Sequence, residues 1–215
     1  MKIMKNTLVK FGEASFAGMV TLIALSALTG CALPGSGDPD LSKRIEQNGY
    51  SFMPPDQTGW FIADRSPNRV ALAKAGRVEG QSYLIEGTHL ELDKVSTTTQ
   101  LVKFTDDLLS RNLPPPRFRI RQHDISDTRI ADAQCALSHI VVEDREPEVA
   151  SNVVTAMLVE SAVTICMHPT TPGLGISLNF THRSFPEDRD KAFEAYAESV
   201  LRTQQFSPVN TASQN

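Results

Sequence analysis

The run VVTAMLVESAVTICM at residues 153–167 limits the fold more than any other stretch of the chain. It is apolar on both faces and rich in Val and Thr, the composition of a strand held inside a sheet. Candidate neighbours lie close in sequence. Residues 133–142 and 175–182 read as long strands, and Pro172-Gly173-Leu174-Gly175 is a turn that permits a hairpin between 153–167 and 175–182. Residues 117–122 alternate Phe118 and Ile120 with arginines, as a half-buried strand does.

The remaining elements are shorter. Residues 50–53 and 60–63 are aromatic strands separated by Pro54 and Pro55, and 69–74 alternates about Val70 and Leu72. Residues 81–92 carry Tyr83, Ile85, Leu90 and Leu92, with Gly87 marking a bulge or bend. Helical period appears twice. Residues 97–112 set Leu101, Phe104, Leu108 and Leu109 on one stripe, stopped by Pro114, Pro115 and Pro116. Residues 188–204 set Ala192, Phe193, Tyr196, Val200 and Leu201 on another, opened by Pro186, Glu187 and Asp188. A short helix at 41–47 is also expected. No internal repeat is visible. The order predicts an α+β fold: a mostly antiparallel β-sheet covered by two or three helices, α/β/α sandwich-like, in a single domain at 41–206.

Ahead of this body, Lys2, Lys5 and Lys10 flank an apolar stretch of 13 residues from Phe16 to Leu28. This is the layout of a secretory signal. A helix of that length covers only about 20 Å, against the roughly 30 Å hydrocarbon core of a bilayer. The junction Leu28-Thr29-Gly30-Cys31 resembles the bacterial lipobox. That resemblance implies removal of residues 1–30 and a diacylglycerol on the Cys31 sulfur, with a further acyl chain such as palmitate. The membrane would then be a partner through lipid, because two or three chains anchor stably where one does not. In the lipobox pattern an aspartate after the cysteine favours the inner membrane; Ala32 stands there instead, which implies the outer membrane, facing the periplasm. Residues 31–40 continue as CALPGSGDPD, the lipidated cysteine and a flexible linker, and 207–215 read as a disordered tail.

The chain carries a formal charge of −4, and the first 30 residues hold three Lys and one Glu, so the mature part carries −6. That acidity argues against a nucleic-acid partner, which would call for a clustered basic face. Arg117, Arg119 and Arg121 are the nearest thing to one, and at period two they read as a solvated strand face. Cys135 and Cys166 form an even pair in an oxidising compartment. A disulfide requires a hairpin centred near residues 150–151; two buried thiols satisfy the sequence equally well.

Chemistry-bearing residues are scattered. His168 and His182 sit at strand ends, and Ser184, His182 and Asp188 or Glu187 could be assembled into a hydrolytic triad. Ser184, however, lies in no Gly-x-Ser-x-Gly elbow, and its spacing to Glu187 is that of a helix cap. His89, His123, His139, His168 and His182 show no metal-ligand spacing, so no metal is expected, and nothing calls for a cofactor. Asn179-Phe180-Thr181 matches a glycosylation sequon without consequence for a bacterial chain. Tyr50, Phe52, Trp60 and Phe61 either line an apolar groove or form the edge of the core.

The layout is also similar to the superfamily containing the photosystem II subunit PsbP and the Ran-binding nuclear import factor. The resemblance lies in the aromatic strand Tyr50-Ser51-Phe52-Met53-Pro54, then Gly59-Trp60, a mid-chain helix, and a closing helix leading from Tyr196 to Phe206. It implies an accessory or assembly role exercised by binding. The expectation is a non-enzymatic, lipid-anchored envelope protein that binds a protein partner or a small apolar ligand, or assists envelope assembly, with weak binding candidates at Tyr50, Phe52, Trp60, His168 and His182. The alternative is a periplasmic hydrolase using His168, His182 and Ser184.

Overall fold

A computed structural model of the chain describes residues 41–147 and 156–210. The expected leader, Cys31 and the linker lie outside these residues, as does the end of the tail. The elements are β1 (Ile45–Gln47), β2 (Tyr50–Phe52), β3 (Phe61–Ser66), β4 (Arg69–Ala75), β5 (Ser82–Glu91), α1 (Thr98–Asn112), β6 (Phe118–Ile130), β7 (Ala133–Asp144), β8 (Met157–Met167), β9 (Leu174–Ser184), α2 (Phe193–Leu201) and β10 (Gln205–Phe206). Strands β3 to β9 form one antiparallel sheet in the order β3-β4-β5-β9-β8-β7-β6. Strands β1, β2 and β10 form a small second sheet. The described residues make one domain, mostly sheet, with two helices.

β8 lies inside the large sheet, between β9 and β7, and its two faces bury different clusters. Ala162 faces Leu178 and Phe180 of β9, Ile85 of β5 and Leu72 of β4, and this face is covered by Phe193, Ala197, Val200 and Leu201 of α2 and by Tyr50 and Phe52 of the small sheet. Val163 and Ile165 face the other way, onto Ala136 of β7, Leu92, and Leu101 of α1. One sequence run thus feeds two cores, which is why it carries apolar residues on both faces. Each fully buried Leu, Ile or Phe here contributes about 1.5–3 kcal/mol over leaving it exposed.

Helix α1 begins at the predicted place. The Thr97 hydroxyl accepts from the Gln100 N–H at 3.3 Å, and the Gln100 side chain returns to the Ser96 N–H at 2.9 Å. Cys135 and Cys166 are cross-strand partners on β7 and β8, and they are joined in a disulfide.

Several expectations are corrected. Residues 45–47 pair with β2 as a strand where a helix was expected, held by the Arg44 guanidinium, which donates to the Thr203 carbonyl and the Ser51 hydroxyl. Gly87 causes no bulge: β4 and β9 pair with β5 without a register shift on either side. Instead the ring of Tyr50 lies against it, and an added Cβ would stand 2.6 Å from Tyr50 Oη and 2.7 Å from Cε2. β6 continues eight residues beyond the expected end at Gln122, through a polar segment that, among the described residues, pairs with β7 alone. Residues 207–210 are tied down: the Ser207 N–H donates to the Gly49 carbonyl at 3.1 Å, and Asn210 exchanges hydrogen bonds with the Asn48 side chain. Helix α2 starts only at Phe193, because residues 186–188 form a 3-10 turn and Arg189 is extended (φ −58°, ψ 126°).

Candidate functional site

Antiparallel pairing places His182 of β9 between Tyr83 of β5 and Glu160 of β8. His139 of β7 sits diagonally across from Glu160, beside Ala162 in the ladder. The extended backbone at Arg189 then returns a guanidinium over the sheet. Arg189 grips Glu160 with two hydrogen bonds, Nε to Oε2 at 2.8 Å and Nη2 to Oε1 at 2.9 Å. His139 Nε2 donates to Oε1 of the same carboxylate at 2.9 Å, and its Nδ1 stands 3.5 Å from Glu194 of α2. The result gathers two histidines, two acids and an arginine from three strands, α2 and the segment leading into it.

Burial and charge oppose each other at each member. Burial alone would raise the Glu160 carboxyl, which is 2% exposed, but the Arg189 and His139 hydrogen bonds prevail and hold it down at about 2. The bond to Glu160 raises the His139 imidazole above its ordinary value, against burial, with Glu194 adding to the effect. His182 is 1% exposed, and burial lowers it despite the opposing pull of Asp190 and Glu160. Neither ring nitrogen of His182 has a hydrogen-bond partner among the described residues. Its ring is held by stacking on Tyr83 and by contact with Phe193 at 5.6 Å. Burial, then Asp56, pushes the neighbouring Tyr196 hydroxyl up to about 12.

The pieces proposed for hydrolysis do not converge. Ser184 shares a face of β9 with His182 but is buried opposite Leu158, and it caps no helix. Among the described residues, neither Glu187 nor Asp188 bonds to Ser184 or His182. His168 lies past the other end of β8, where its Nε2 donates to the carbonyls of Gly49 and Ser207, both at 3.1 Å. Tyr50, Phe52 and Trp60 are core: Trp60 packs edge-on against Phe180 at 5.7 Å, while Phe61 alone of the aromatic set is open to solvent. Among the described residues no group of three or more His, Cys, Asp or Glu side chains could hold a metal. The sequence reading passed over Glu160 and Arg189. A lone carboxylate inside an apolar strand was the available signal, since such a group requires a partner.

A second feature lies at the far edge of the sheet. Leu113, Pro115 and Pro116 after α1, with Phe118, Arg119 and Ile120 at the start of β6, line an open depression of about 590 Å³, with Arg145 on its rim. The predicted arginine row is interrupted there. Arg117 pairs with the buried Asp144 at 3.0 Å, Arg121 pairs with Glu143, and a register shift separates Ile120 from Gln122.

No helix among the described residues is long and apolar enough to cross a membrane. No protein-family model and no curated protein matches the sequence. Among solved structures the chain is similar to LpqN, described as involved in cell envelope biogenesis of Mycobacterium tuberculosis, at 12% identity and a TM-score of 0.46, over 77% of this chain and 90% of that one.

Proposed function

We propose that the chain is a lipid-anchored envelope protein whose folded domain acts by binding a protein partner and not by turnover. The observation that carries the second half is the state of Glu160. The buried acid that lies beside both histidines is spent on Arg189 and His139 and is closed to solvent, so the cluster braces the approach to α2 against the sheet. The anchor is read from Leu28-Thr29-Gly30-Cys31, and Ala32 supports delivery to the outer membrane. The layout resemblance to the PsbP superfamily points the same way.

Two measurements test this reading. Mass spectrometry of the full chain made in a bacterial host should find residues 1–30 removed and Cys31 acylated, and Cys31→Ser should move the protein out of the membrane fraction. An unmodified sulfur would overturn the anchor. Cross-linking in intact envelopes should join the protein to a defined neighbour. A hydrolytic turnover abolished by Ser184→Ala at unchanged melting temperature would overturn the binding role.

A further inference from the structure

The large sheet ends at β6, whose outer side has no strand neighbour among the described residues. An unpaired edge is a template for a further strand, and proteins commonly guard such edges with charge and bulges. β6 is guarded along most of its length, by Asp124, Asp127 and Arg129 and by the register shift after Ile120. Its first three residues carry no acid, and of their backbone groups the Phe118 N–H already donates to the Pro114 carbonyl at 3.3 Å. Phe118, Arg119 and Ile120 all line one depression, although successive residues of a strand project to opposite faces. The depression therefore lies over the edge itself and not on either face. Its floor is apolar, and Ile120 is 44% exposed.

Charge selects the occupant. Around this spot Arg119, Arg121 and Arg145 face Glu143, and Arg121 and Arg145 already engage that carboxylate. The Arg119 guanidinium has no ion pair among the described residues, in a chain whose net charge is negative. We propose that the edge of β6 from Phe118 to Ile120 receives an extended acidic segment of a partner protein, which adds a strand to the sheet, seats an apolar side chain against Pro115, Phe118 and Ile120, and sets a carboxylate on Arg119. This deepens the partner-binding reading above and rests on it. Main-chain hydrogen bonds supply affinity in this mode, and alternate side chains supply choice.

The test uses the full chain in detergent and three fluorescent pentapeptides: DVEIE, its basic counterpart KVKIK, and DVEIE with backbone N-methyl groups at alternate residues. DVEIE should bind saturably and at least tenfold more tightly than either control. Arg119→Glu and Ile120→Asp, both at exposed positions, should each weaken it at least tenfold with the melting temperature unchanged. Equal binding of the acidic and basic peptides, full binding of the methylated one, or indifference to both substitutions would overturn the proposal. So would binding of anionic phosphatidylglycerol vesicles, or self-association, in place of the peptide when either is lost in Ile120→Asp. If an envelope cross-link persists unchanged in Ile120→Asp, the edge is the wrong surface while the partner-binding reading stands.

Discussion

The ring of Tyr83 lies flat on the ring of His182, with centroids 4.2 Å apart and planes 4° from parallel. Strand register sets this contact, since the ladder that puts Tyr83 beside His182 puts Glu160 on the other side. The imidazole is therefore held between an aromatic ring and a carboxylate whose charge is already engaged. Burial lowers its pKa from the ordinary value, and its neighbour His139, hydrogen-bonded to that carboxylate, is pushed the opposite way.

These two histidines give stability opposite pH dependences. The folded-state value of His182 lies below its ordinary 6.5, so the unfolded chain takes up the proton first and stability falls as pH drops below that point. His182→Phe keeps a ring over Tyr83 and removes the titration. Its melting temperature should fall less than that of the parent protein between pH 7.5 and 5; parallel curves would refute the assignment.

The contribution of His139 has the reverse sign. Its raised value means the stabilisation is fully present below 6.5 and disappears as pH rises through the folded-state value. His139→Gln should therefore differ most from the parent protein at pH 6 and least at pH 9 in the same thermal scans.

Arg189→Gln removes the two-pronged clamp and leaves Glu160 buried with one donor. Breaking a buried pair costs about 3–5 kcal/mol, and partial exposure of Arg189 reduces this to about 2 kcal/mol. For a domain of this size that is roughly 4–8 °C in melting temperature. Glu160→Gln in the same background should cost much less than in the parent protein, because the two residues act as one unit.

Gly87→Ala would drive a methyl group into the Tyr50 ring, at a cost of about 1–3 kcal/mol from overpacking. Equilibrium urea unfolding should show the loss, and Tyr50→Leu combined with it should cost less than the two separate losses together. An Ala variant as stable as the parent would mean that the Tyr50 ring is free to move aside.

The Cys135–Cys166 bond spans 31 positions of sequence, which the chain-entropy model values at about 3.5 kcal/mol. Reducing agent should lower the melting temperature of the parent protein and leave the Cys135→Ala, Cys166→Ala double variant unchanged.

Much of the β-framework was legible because its signal is local. Val153 to Met167 announces a two-sided strand by lacking polar residues at period two, and Thr97 with Gln100 announces the start of α1 through capping chemistry. β6 beyond Gln122 was not legible. Its residues are polar on both faces, and they are extended because β7 folds back along them through Ala131, the one described non-glycine residue with a left-handed backbone (φ 48°). The same holds for α2, which periodicity alone would begin at Asp188. Arg189 is pulled straight to reach a carboxylate 29 positions away.

By itself the sequence determined the strand-rich order, the place of α1, the charge and the lipobox-like junction, because each is written in neighbouring residues. Only the tertiary structure decided which side chains meet. It gathered His139, Glu160, His182 and Arg189 from separate parts of the fold, dispersed His168 and Ser184 into other roles, and left β6 with no outer strand neighbour among the described residues. Those outcomes depend on strand order and register, and neither is a local property of the chain.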